Sequence, residues 1–280
     1  MKKESLASKI FVVWIVGLGW ALIAQIVPTF LGILGVSTDT LLGDPRYQLL
    51  FLYTESIGIF CMYIKYHADA TLLPFHGTRN VKNYLIGWFS GTILFSVVWG
   101  VITFLGGYHI RFIFSISSST SILLFLIGFG IQAMFEELLT RGYVMGIFLK
   151  ENRPLLSIIV NSAFFSFLHI GNPHFDWNAA IGLFLFGILM SELRMITHSI
   201  WFCSAVHAAW NFSEGIIFGT TVSGLPNMGL VIRSFSTTST QLLTGGSFGI
   251  ERSGVSIIIH IILITFLAFF ISKSTYKNLL

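Results

Sequence analysis

The stretch FEELLTR at 135–141 sets two carboxylates, Glu136 and Glu137, and one guanidinium, Arg141, at the end of the apolar run SILLFLIGFGIQAM. Ionised side chains are expensive in hydrocarbon, so such residues face a bundle interior and either carry function or pair with one another. Glu136 and Glu137 project about 100° apart, because 3.6 residues make a helical turn. One carboxylate can therefore face a cavity while the other turns to a partner such as Arg141. Two adjacent carboxylates in low dielectric do not both ionise cheaply, and a nearby guanidinium would hold one of them ionised.

Few other polar residues lie within apolar segments. NSAFFSFLH at 161–169 brings His169, four residues after Phe165, and VHAAWNFSEG at 206–215 brings His207, Asn211 and Glu214. The i, i+4 spacing of His207 and Asn211 puts both on one helical face, as it does Phe165 and His169. The chemistry that fits is activation of water. A glutamate takes its proton, an imidazole orients it or shuttles the proton, and a second imidazole with an amide N–H stabilises the oxyanion. Glu136, His169, His207 and Asn211 form such a set. Glu136, His169 and His207 also make up a two-His, one-carboxylate zinc pattern, and spacing leaves both readings open. No HExxH, Walker loop or CxxC is present. Glu55 and His260 have no motif and are expected to be structural or to line a cavity. Glu192 and Arg194 are expected to flank a helix at the membrane interface.

The elements that must position these groups are membrane helices. Of 280 residues, 54% are hydrophobic and only 10% charged, and mean hydropathy is +0.82, against about a quarter charged in a soluble domain. The expectation is an all-α polytopic membrane protein forming a single domain over 1–280. Windows of about 20 apolar residues give eight candidate spans near 10–34, 47–66, 83–105, 121–147, 154–171, 178–196, 199–219 and 254–272. A long connection over 220–253 is rich in Gly, Ser and Thr. The N-terminal MKKESLASK leads into an apolar stretch too long for a usual signal peptide, so an uncleaved first span is expected. Cys61 and Cys203 sit in apolar runs and are expected to stay reduced thiols. With eight spans, eleven basic residues fall on the side of both termini and four (Arg46, Arg111, Arg233, Arg252) fall opposite. That bias predicts cytoplasmic termini in a cell membrane. The net charge of +4 is no sign of nucleic-acid binding, since the basic residues flank membrane segments. The partners expected are the lipid bilayer and a peptide or membrane-protein substrate.

EExxxR at Glu136, Glu137 and Arg141, FxxxH at Phe165 and His169, and HxxxN at His207 and Asn211 resemble, in order, the three signature motifs of the CPBP family. That group contains the CaaX prenyl endopeptidases of the Ras-converting type and the bacterial Abi proteins. The resemblance covers roughly residues 120–215, a motif-bearing catalytic core. It implies an intramembrane endopeptidase with an eight-span helical core and a cavity open to the cytoplasmic side. By motif, Glu136 is the water-activating base, His169 its partner, and His207 with Asn211 the oxyanion side. Glu137, Arg141 and Phe165 take supporting places. The family's mechanism is described both as metal-dependent and as metal-free, so a divalent metal such as zinc stays open. The compact chain looks more like a bacterial member than a eukaryotic one. A non-catalytic membrane scaffold or peptide immunity factor is the alternative reading. A proton-coupled transporter is a third, because intramembrane Glu, His and Arg also build proton relays.

Overall fold

The computed structural model describes residues 5–237 and 240–277. Helices account for 72% of the structure, which makes it all-α. In chain order they are α1 (Leu6–Ala24), α2 (Ile26–Ile33), α3 (Thr38–Gly43), α4 (Pro45–Tyr66), α5 (Asn80–Phe104), α6 (Ser119–Glu137), α7 (Met145–Leu149), α8 (Pro154–Leu168), α9 (Trp177–Thr197), α10 (Ile200–Phe212), α11 (Gln241–Thr244) and α12 (Gly254–Lys277). The eight expected spans all fall on helices. Five runs are long and apolar enough to cross a bilayer: α1, α4, α5, α9 and the continuous Ile116–Leu149 run containing α6 and α7. The segments α8 and Gly254–Phe270 are apolar but shorter, and α10 has only 13 residues before its geometry changes.

The first expected span is divided. Pro28 has no N–H to give the Ala24 carbonyl, and the chain steps at Gln25 (φ −100°, ψ 23°) between α1 and α2. That step frees the Gln25 amide to bond across to α4. Two short strands, β1 (Tyr108–Phe112) and β2 (Ile232–Ser236), pair antiparallel with Tyr108 opposite Ser236. They tie two connections that hydropathy alone reads as loops.

Helix α5 lies close against α10 through glycines. A β-carbon on Gly87 would sit 2.4 Å from the Phe202 carbonyl oxygen, and one on Gly91 2.4 Å from that of Val206. Small residues four apart permit this backbone approach. Because α10 carries His207 and Asn211, the contact helps set the depth of the site. Gly91→Val is expected to destabilise the protein by about 1–3 kcal/mol through overpacking. Thermal unfolding in detergent checks this, and an unchanged transition would refute the packing role.

Ion pairs join segments at matching ends of the bundle. Lys9 pairs with Glu151 and Lys150 with Asp69 at one end. At the other, Arg252 Nη2 lies 2.5 Å from Asp176 Oδ2. Hydrogen bonding from Lys150 holds the Asp69 carboxyl below its usual range, and Arg252 does the same for Asp176. The lysine-rich end is filled by an apolar cluster that includes Leu138, Tyr143, Val144, Phe148, Phe164 and Ile200.

Candidate active site

The α6 helix does not end at Glu137. It widens into a π-helical segment, Leu138–Val144, and continues as α7. Such turns recur at functional sites because they re-aim side chains within an unbroken helix. Here Thr140 Oγ1 donates to the Glu136 carbonyl at 2.5 Å, satisfying a group in the altered turn. A second π segment, Ser213–Ile217, begins just after Asn211 at the end of α10.

The two adjacent glutamates part as their 100° offset requires. Glu137 is fully buried. Its Oε1 accepts from Arg141 Nη1 at 3.0 Å and from His207 Nδ1 at 3.0 Å. Arg141 also donates to Thr140 Oγ1 (2.8 Å) and to the Gly187 carbonyl on α9 (3.1 Å). Its guanidinium carbon lies 4.7 Å from the centre of the Phe165 ring, a cation–π contact strengthened by burial. Phe165 therefore does more than pack, since its ring separates Arg141 from the cavity and stands 5.7 Å from His207. Three helices, α6, α9 and α10, are clamped around the Glu137–Arg141 pair.

Glu136 turns the other way, into a cavity of about 320 Å³. Its Oε1 accepts from Gln132 Nε2 at 2.9 Å, while its Oε2 has no hydrogen-bond partner among the described residues. His169, at the end of α8, lines the same cavity. Its Nδ1 meets the Phe165 carbonyl at 2.8 Å. A carbonyl only accepts, so Nδ1 carries the proton and Nε2 of the neutral ring offers a lone pair. His207 and Asn211 complete the lining, with His207 Nε2 3.9 Å from Glu136 Oε2. Glu136, His169, His207 and Asn211 thus meet in one cavity, from α6, the α8 terminus and α10. Glu137 and Arg141 lie behind its wall.

Gln132 is the residue that motif reading missed. It donates to Glu136 and its Oε1 accepts from Asn211 Nδ2 at 3.1 Å, bridging the two sides of the site. Its place one turn before Glu136 was a signal available in the sequence. Gln132→Leu is expected to lower the rate of any reaction at this site about 10- to 100-fold, the worth of a hydrogen bond to a charged group. Single-turnover kinetics check it, and a rate within twofold of the parent would remove Gln132 from the site.

The remaining polar residues resolve differently. Glu55 lines the far wall of the cavity and accepts from Gln25 Nε2 at 2.7 Å. Glu214 does not line it. Glu214 is buried, accepting from Trp210 Nε1 (3.1 Å) and the Ile250 N–H (2.8 Å). His260 is buried beside Trp210 and Phe186, with ring centroids 5.4 and 5.8 Å away. Glu192 is buried on α9, because α9 packs that face inward. The Gly-rich 245–252 turn is not a loose connection: Glu251 accepts from Ser223 Oγ at 2.7 Å and lines the cavity. Among the described residues no group of three His, Cys, Asp or Glu side chains is arranged as a metal site. No step is assigned to a metal.

Residues 118–213 match the model of the Rce1-like family, the type II CAAX prenyl endopeptidases. The motif-bearing segment is Rce1-like. A search of curated proteins finds no match to the chain. The Rce1-like segment contains every residue of the Glu136, His169, His207 and Asn211 set. The family implies a membrane-embedded protease of the CAAX endopeptidase class, with a lipid bilayer around it and a peptide as substrate.

Proposed function

We propose that the protein is an intramembrane endopeptidase in which Glu136 activates the attacking water. The observation that carries the reading is the unpartnered Glu136 Oε2 in a cavity that also holds His169, His207 and Asn211. A water between Glu136 Oε2 and His169 Nε2 has an acceptor on each side. Glu136 takes its proton as the oxygen attacks the scissile carbonyl, and later returns that proton to the leaving amine. The tetrahedral oxyanion is met by two donors. Asn211 Nδ2 has a second N–H beyond the one given to Gln132. His207 supplies Nε2–H in its imidazolium form, because its Nδ1–H is already committed to Glu137. Preorganised donors of this kind are often the largest catalytic contribution.

The bundle orientation follows from charge. Lys9, Lys65, Lys150 and Arg153 gather at one end, which by the positive-inside rule is cytoplasmic. The experiment is quantitative membrane proteomics of cells carrying the protein or its Glu136→Ala variant. A substrate fragment present only with the parent supports the protease. Identical fragment patterns, with full biological function in the variant, would favour a non-catalytic scaffold or immunity factor.

A further inference from the structure

We infer that this site takes its substrate from the extracytoplasmic face, so that it cuts the outer juxtamembrane part of a membrane-anchored peptide and not the tail of a cytoplasmic protein. The inference rests on the protease reading for the word substrate, but its geometry is independent of catalysis.

The cavity is asymmetric along the bundle axis. At the lysine-rich end its lining begins no nearer than His207, seven residues into α10, about 10 Å at 1.5 Å per residue. Beyond it lies the buried apolar cluster of Tyr143, Phe148 and Ile200, and none of Lys9, Lys65 or Lys150 touches the cavity. At the opposite end the lining runs out to the helix ends and loops. Gln48 sits in the first turn of α4, and Asn172, Ser223 and Leu225 belong to connections. The three connection residues are half-buried, while Gln48 and Glu251 on the same side are buried. Asn172 Nδ2 donates to the Ser223 carbonyl at 2.8 Å, which joins the two connections at this rim. The rim belongs to the end that carries Arg46, β1, β2 and the Asp176–Arg252 pair. Outside the termini, seven basic residues lie at the other end (Lys9, Lys65, Arg79, Lys82, Lys150, Arg153, Arg194) and four at this one. The positive-inside bias then places the rim outside the cell. This reverses the cytoplasmic opening that motif resemblance alone implies. A prenylated tail on a cytosolic protein would meet the sealed end.

The test is cysteine accessibility in intact spheroplasts, on a background in which Cys61 and Cys203 are replaced by alanine. Single cysteines at Arg46→Cys, Leu225→Cys and Lys150→Cys are exposed to a membrane-impermeant maleimide. The expected result is labelling at 46 and 225 in intact spheroplasts and at 150 only after permeabilisation. Labelling at 150 with protection at 46 would overturn the orientation. Labelling at 46 with none at 225 would overturn the outward path from the cavity. Should Leu225→Cys not accumulate, Asn172→Cys reads the same lining. Adding Glu136→Gln to each variant separates the two readings. The labelling pattern is expected to persist when cleavage is lost, so a failed protease assay leaves the accessibility result standing.

Discussion

Glu136→Gln is expected to lower peptide cleavage by about 10³-fold, within the range for loss of a general base, while the protein remains folded. The amide keeps the shape and still accepts the Gln132 hydrogen bond at Oε1, so the only loss is the basic oxygen in the cavity. Fold should therefore survive: size-exclusion in detergent and the unfolding temperature are expected to match the parent. The contrast is Glu137→Gln. That carboxylate is buried and accepts from both Arg141 and His207. Its neutralisation leaves a guanidinium without its counter-charge and an imidazole without its anchor, so stability and activity are expected to fall together. Retention of activity in Glu136→Gln to within tenfold would sink the assignment of the base. Equal behaviour of the two variants would sink the division of roles between the glutamates.

The second large effect is expected from Arg141→Met. Removing one partner of a buried ion pair strands the other charge, at a cost of about 3–5 kcal/mol, and both side chains here are inaccessible to solvent. The variant is expected to accumulate poorly and to lose its monodisperse peak. Arg141→Lys should not restore it, because one ammonium does not reproduce a planar fork that reaches Glu137, Thr140 and the Gly187 carbonyl at once. The double variant Arg141→Met with Glu137→Gln removes both charges and is expected to recover much of the folded yield. It should stay inactive, since His207 still lacks a carboxylate at Nδ1. Folding-competent Arg141→Met with normal stability would show that the pair is dispensable. Recovery of both fold and activity in the double variant would show that it plays no part in the chemistry.

Much of this was legible before any coordinates. The scarcity of charge required membrane helices, because isolated ions do not persist in hydrocarbon. The i, i+4 spacings of Phe165 with His169 and of His207 with Asn211 required each pair to share a face. The EExxxR, FxxxH and HxxxN motifs then singled out the residues that meet in the cavity. Less legible were the step at Gln25, although Pro28 announced it, and the small sheet, whose strands are separated by more than a hundred residues.

From its sequence alone, then, this chain determined that it spans a membrane by helices, which side chains are too costly to be idle, and which of them share a helical face. These are consequences of composition and of local periodicity. Motif resemblance gave Glu136 the reacting role and Glu137 a supporting one. Only tertiary structure decided that Glu137 takes His207 as well as Arg141 while Glu136 turns to the cavity, because a 100° offset does not say which glutamate faces inward. It decided that Gln132 bridges Glu136 to Asn211, that Gln25 reaches Glu55, and that Glu251 joins the cavity wall from a distant turn. It decided, too, which end of the bundle the cavity reaches. Those outcomes depend on how α1, α4, α6, α8 and α10 pack together, and packing between helices far apart in the chain leaves no local pattern to read.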